Sequence, residues 1–262
     1  MGLEITRPLG VGGITPNINW NGTKNICFGN YQTDTFERTT NDRYTTEAAI
    51  KRMVVSNPKV KAIVKNYNPN LELNMSELQE LQQNHATDTL NITKGITDNL
   101  PFSLKLKVDT KALEDAAYLH DLGKVLIPKD VLNKPGKLND EEIKIMHTHS
   151  ELSYELLKNS GLNDKTLNLI RNHHQNAKRT GYPFVNKDFN ADLNLQILSV
   201  ADKYSALTEK RTYKEPMSSK EALTIIYEDV KEGKLHPFVF KALVNYANET
   251  SNANIFAKVS NA

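Results

Sequence analysis

The chain has 262 residues, enough to bury a substantial core as one large domain or as one domain with an appendage. Thirty-three basic residues against 31 acidic ones leave a formal charge of +2, which excludes bulk electrostatic capture of nucleic acid or of an anionic membrane and makes any phosphate binding local. Cys27 is the single cysteine, so an internal disulfide framework and a thiolate metal cluster are excluded; with no apolar leader and no run near the roughly 18 apolar residues of a membrane span, a soluble cytoplasmic protein is expected.

Residues 1–44 are rich in Gly, Asn and Thr and have few periodic apolar positions, which predicts irregular structure with a short strand around Ile26 to Phe28. From Thr45, apolar residues at helical spacing (Ala49, Ile50, Met53, Val54) predict a helix that Asn57-Pro58 breaks before a second short one. Together, residues 1–74 read as an N-terminal appendage. Asn74 or Ser76 caps a longer helix from about Met75 to Thr97, with His85 near its middle. Asp109 or Thr110 caps the next, in which Leu113, Ala116, Ala117 and His120 follow one another on the inward face.

Gly123 and two prolines then predict a loop, and Asn139 followed by Asp-Glu-Glu a strong helix start. That helix runs toward Gly161, a shorter one ends in His173 and His174, and a turn-rich segment carries Gly181-Tyr182-Pro183. A helix with Asp202 embedded in it and two closing helices complete the chain, and residues 249–262 read as a tail. With no strand-rich block after residue 45, the expected fold is all-α, a helical bundle spanning 75–248.

Five of the seven histidines, His85, His120, His149, His173 and His174, fall on separate helices or helix ends facing a common interior with Asp121 and Asp202. One helix offers an ion only its i and i+3 or i+4 positions, so such a set must be gathered from several. Imidazole and carboxylate without thiolate suit Zn, Mn or Fe(II). Seven donors exceed the needs of one ion, and a carboxylate such as Asp121 can bridge two ions about 3.5–4 Å apart, an arrangement used to hydrolyse phosphate esters.

The blocks HDLGKVLIPKDVLNKPGKLNDEE, Met146-x-x-His149, His173-His174, Gly181-Tyr182-Pro183 and VADKYSALTEKRTYK at 200–214, in this order, resemble the HD-GYP branch of the HD phosphohydrolase superfamily over roughly residues 75–245. The resemblance implies an all-helical phosphodiesterase that hydrolyses a cyclic dinucleotide, usually cyclic di-GMP, by metal-activated hydroxide. It implies that His85, His120, Asp121 and Asp202 hold one ion and that Asp121 bridges to a second held by His149, His173 and His174, the ions being Fe or Mn. Lys124 then lies near the scissile phosphate, Tyr182 with Gly181 and Pro183 meets a guanine base, and Arg211 and Lys214 hold phosphates. A third ion is not expected, because Leu81 stands where some members have a glutamate. Besides the substrate, expected partners are a second copy or a diguanylate-cyclase or other signalling protein; no nucleic acid polymer and no membrane insertion are expected.

The chain departs from the pattern HHExxDGxGYP: the acid is Gln175 and the Asp-Gly turn is Lys178-Arg179. Losing that glycine bears on the loop's path, since an arginine does not take φ > 0 cheaply. Two alternatives therefore accompany the enzyme reading: a degenerate module that binds a cyclic dinucleotide as a receptor without turnover, and a general HD-type nucleotide phosphohydrolase. His147 is expected on another face of its helix than His149, His236 in a structural role, and Tyr118, Tyr154 and Phe238 in the core.

Overall fold

The computed structural model describes residues 43–209 and 215–260, with side chains as far as residue 251. The strand expected near residue 26, Cys27, and the phosphate-holding candidates Arg211 and Lys214 lie outside the described residues. Among the described residues there is no strand.

Helices α1 (Glu47–Ser56) and α2 (Pro58–Val64) follow from their caps: Thr46 accepts from the Ala49 N–H, and Asn57 both ends α1 and accepts from the Lys59 N–H, with Pro58 in the first turn of α2. Both rest on α8, and Ile50, Val54, Val60 and Val64 are buried in the same apolar cluster as the rest of the chain. At this contact the Asn57 amide donates to the carbonyl and the carboxylate of buried Glu155, which also pairs with Lys59 and Lys158.

The long helix expected from residue 75 is interrupted. It runs as α3 (Met75–Leu81), widens into a π-helical turn (Gln82–Ala86) that contains His85, and continues as α4 (Thr87–Asp98). The Thr87 hydroxyl donates to the Gln82 carbonyl at 2.9 Å across the wider turn. A short α5 (Phe102–Lys105) leads to α6 (Thr110–Leu119), capped by Asp109, with His120 at its C-terminal end. Where the sequence predicts a plain loop after Gly123, a 3-10 turn (Leu122–Leu126) and a one-turn α7 (Lys129–Leu132) form instead, because Leu122, Val125, Leu126 and Val131 are apolar and become buried.

α8 (Asp140–Leu157) opens with a full capping box, Asn139 and Glu142 bonding each other's backbone. α9 (Asp164–Asn172) ends at His173, α10 (Leu193–Thr208) carries Asp202, and α11 (Ser219–Lys231) precedes α12 (Pro237–Ser260). The stretch 249–260 read from sequence as a tail thus continues α12; it contains no proline or glycine to stop the helix. α4 sits centrally, against α6, α10 and α12, while α9 bridges α6 and α8. Phe238, expected in the core, is 49% exposed because it lies on the outward side of the first turn of α12.

The 3-10 turn fits tightly against α8. The Gly123 N–H donates to the Ser153 hydroxyl at 2.8 Å, and a Cβ at position 123 would lie 2.2 Å from the His149 carbonyl oxygen and 2.6 Å from the Ser153 nitrogen. Neither atom can move without displacing α8. Gly123→Ala is expected to cost about 1–3 kcal/mol of stability as an overpacking change, read as a lowered urea midpoint at unchanged slope.

Candidate metal centre

Three histidines are oriented by their own helices. His120 bonds through Nδ1 to the Ala117 carbonyl at 2.9 Å, His149 to Met146 at 2.6 Å and His173 to Ile170 at 2.7 Å. A ring nitrogen bonded to a carbonyl must be the one carrying hydrogen, so in each neutral ring Nε2 holds the lone pair and points inward. His120 and His173 end α6 and α9, where the last carbonyls have no helical partner, so the same bonds also satisfy helix ends.

The consequence is a set of lone pairs facing one another. Nε2 of His149 lies 3.2 Å from Nε2 of His173 and 3.1 Å from Nε2 of His174. Burial presses all three toward the neutral form, His149 down to about 3, His174 down to about 4 and His173 well below the usual imidazole range. Between His149 and His173 no proton is available to make a hydrogen bond, and a cation is the species that turns this repulsion into attraction. His120 Nε2 and Asp121 Oδ1 are likewise buried without a hydrogen-bond partner.

Asp121 sits between two groups of imidazoles. Its Oδ2 faces His120 at 3.4 Å and His85 at 3.6 Å, and its Oδ1 faces His149 at 3.3 Å and His173 at 3.9 Å. Asp202 closes the His85 side, its Oδ1 3.0 Å from His85 Nε2 and 3.7 Å from His120, while Oδ2 lies 3.6 Å from His174. Burial opposes ionisation of Asp121, but Lys124 and His120 outweigh it and hold the carboxyl well below its ordinary value. For His120 burial works downward, and Asp121 and Asp202 override it to push the ring up to about 10. The two carboxylates therefore demand positive charge at this place, as a proton or as an ion.

All seven sequence-derived donors are brought together: His85, His120 and Asp202 form one compact group, His149, His173 and His174 another, with Asp121 between them. Lys124 reaches Asp121 Oδ2 at 2.5 Å. The donor set of imidazoles and carboxylates fits a divalent transition metal, and the unpartnered His120 Nε2 and Asp121 Oδ1 are consistent with that fit.

Other contacts were not legible. His85 Nδ1 lies 3.1 Å from the Ser205 hydroxyl and 3.3 Å from Glu209 Oε2, which hold the ring from the side away from Asp202. His147 is exposed as expected, yet its ring stacks on Tyr182 at 3.7 Å and 12°, and Tyr182 in turn lies 4.4 Å from His174. Burial, with Asp202 and Asp121 nearby, raises the Tyr182 phenol above its usual range, so it stays protonated. His236 has the structural role expected, accepting from the Phe238 N–H at the start of α12.

The divergent loop is held by its own side chains and backbone. Gln175 is 1% exposed; its amide donates to the Pro183 carbonyl at 2.6 Å and accepts from the Gly181 N–H at 3.2 Å. A carboxylate here could make only the second of these bonds. Arg179 takes φ +60°, the conformation a glycine adopts freely, and its guanidinium donates to the Lys187 carbonyl at 2.5 Å. Gly181 itself passes so close to the His174 carbonyl oxygen that a Cβ would lie 1.9 Å from it.

Among known proteins, residues 67–238 match the HD domain family. A cyclic di-GMP phosphodiesterase of Thermotoga maritima is 31% identical over 69% of this chain and 49% of its own length. A 3'3'-cGAMP-specific phosphodiesterase of Vibrio cholerae is 29% identical over 63% of this chain and 38% of its own. A cyclic di-GMP phosphodiesterase response regulator of Xanthomonas campestris is 37% identical over 45% of this chain and 32% of its own. The chain thus spans half or less of these relatives' lengths.

Replacing Gln175 by leucine removes both of its bonds and leaves the Gly181 and Pro183 backbone groups to water. Gln175→Leu is expected to cost about 1 kcal/mol in chemical denaturation and to make the 176–183 loop the first site of limited proteolysis.

Proposed function

The chain belongs to the HD domain family, and from that premise we propose that it is a metal-dependent phosphodiesterase that opens a cyclic dinucleotide, cyclic di-GMP in the first instance, in the cytoplasm. The observation that carries this reading is the buried pair of imidazole groups whose lone pairs converge on the two oxygens of Asp121. The names of the relatives, which specify cyclic di-GMP or 3'3'-cGAMP, support the substrate class.

In this reading two ions, Fe or Mn, would be held by His85, His120 and Asp202 on one side and by His149, His173 and His174 on the other, with Asp121 available to both. When bound, the ions supply a nucleophile at neutral pH and Lewis-acid stabilisation of the phosphoryl oxygens. The protein's own residues do the rest. Buried helices exclude bulk water from the cluster, and the backbone-bonded Nδ1 atoms fix each ring before substrate arrives. Lys124 spends one N–H on Asp121 and has two left for a phosphate oxygen that gains charge in the transition state. Tyr182, protonated and braced between His147 and His174, presents a ring at the mouth of the site for a base. Outside the described residues, Arg211 and Lys214 are assigned to phosphate oxygens.

Two variants and a substrate panel test the reading. Asp121→Ala is expected to lose bound metal and activity together. Lys124→Ala is expected to keep its metal, measured by mass spectrometry, and to lose about 2–4 kcal/mol of transition-state stabilisation in kcat/KM, by analogy with loss of an oxyanion donor. Protein purified anaerobically and assayed with Mn or Fe(II) should hydrolyse cyclic dinucleotides in preference to simple phosphodiesters. Binding without turnover would select a receptor, and turnover of generic esters alone a general phosphohydrolase.

A further inference from the structure

The loop that departs from the resembled family's pattern forms one wall of a cavity of about 390 Å³ whose floor includes His174 and Asp202. Gln175 and Thr180 stand on that wall, and Ser199 and Lys203 of α10, with Asp229 of α11, on the others. The volume falls in the range of small-molecule sites, roughly 300–1,000 Å³, and the shared floor makes the cavity continuous with the candidate metal ligands.

Most polar groups around it are already committed. Gln175 spends both amide atoms on the 181–183 backbone. Gln196 donates to the Ala191 carbonyl and accepts from the His236 N–H, each at 2.8 Å. Beside Ser199 and Lys234 the lining holds an ammonium against a carboxylate: Lys203 Nζ lies 2.5 Å from Asp229 Oδ2, with the side chains 40% and 23% exposed. The Asp229 backbone is pinned, its carbonyl accepting from the Lys234 N–H at 2.8 Å and the Leu235 N–H at 3.1 Å. The pair therefore offers a ligand N–H donors from Lys203 next to acceptor oxygens on Asp229, in fixed order.

That order is complementary to one nucleobase edge. The Watson–Crick edge of guanine carries an acceptor, O6, beside two donors, N1–H and the N2 amine, so O6 pairs with Lys203 and the donors with Asp229. Adenine places the lone pair of N1 where guanine has a hydrogen, against the carboxylate. We propose that this cavity is a base pocket for one nucleotide of the substrate and that Lys203 and Asp229 select guanine in it. The inference rests on the phosphodiesterase reading for the identity of the substrate, and its chemistry is that of a guanine nucleotide.

The test uses the full chain and two mononucleotides, GMP and AMP, which contain no diester to be cleaved. Calorimetric titration is expected to show GMP binding more tightly than AMP. Asp229→Asn should reduce that preference by roughly tenfold to a hundredfold, the scale of one bidentate base contact. Lys203→Met should reduce it less, because it strands one acceptor of the base, O6, whereas loss of the carboxylate affects two donors. Absence of GMP binding, or an unchanged GMP-to-AMP ratio in both variants, overturns the pocket. Turnover of cyclic di-GMP by the wild-type protein is measured separately. Guanine selection without turnover upholds the pocket while overturning the enzyme reading, and turnover with an unaltered ratio in both variants does the reverse.

Discussion

The arrangement depends on a repulsion that the protein builds and does not relieve by itself. Once Met146 and Ile170 accept the Nδ1 hydrogens of His149 and His173, the opposite nitrogens must confront each other at 3.2 Å as lone pairs, in a place closed to water. Helix packing sets this distance: α8 against α9, and the 3-10 turn against α8 through the contact of Gly123 with Ser153. Leu152, Leu157 and Ile170, all fully buried, supply the apolar burial that keeps these elements together. The stability of the bundle thus pays for a cluster that is strained electrostatically without a cation, a distribution expected where function, not folding, selects the residues.

Much of this could be read from the chain. Helices with strong caps, at Asn57, Asp109, Asn139 and Asn163, start where the capping residues stand, since a cap acts within three residues and needs no tertiary knowledge. The gathering of five histidines with Asp121 and Asp202 was also legible, because these residue types are costly to bury singly and were spread over several inward helical faces and helix ends. What was not legible lies between elements. The π-helical turn around His85 leaves no trace in apolar spacing: Leu78, His85 and Ile92 recur as in an ordinary helix. The partnership of His85 with Ser205 and Glu209 joins residues more than a hundred positions apart, and the His147–Tyr182 stack depends on how a loop folds back over α8.

The loop at 175–183 illustrates a further limit. From sequence, exchange of a glycine for Arg179 argues for an altered backbone, yet Arg179 holds φ +60° all the same. A left-handed residue without a glycine costs on the order of 1 kcal/mol, which its hydrogen bond to Lys187 and the two bonds of Gln175 offset. Substitutions that look disruptive one at a time are compatible together, because the amide at 175 makes a bond that the acid could not.

Backbone oxygens, rather than carboxylates, orient three of the imidazoles, and this has a consequence for the charge of the whole site. A carbonyl adds no formal charge, so the acids at the cluster are Asp121 and Asp202, which face the imidazole Nε2 atoms, and Glu209, which faces Nδ1 of His85. In the two-ion reading, a pair of divalent cations would exceed the negative charge of these three acids, and Lys124 would add to the excess. Loaded as proposed, the site would carry a net positive charge, suited to the anionic substrate proposed above, in a chain whose total charge is close to neutral.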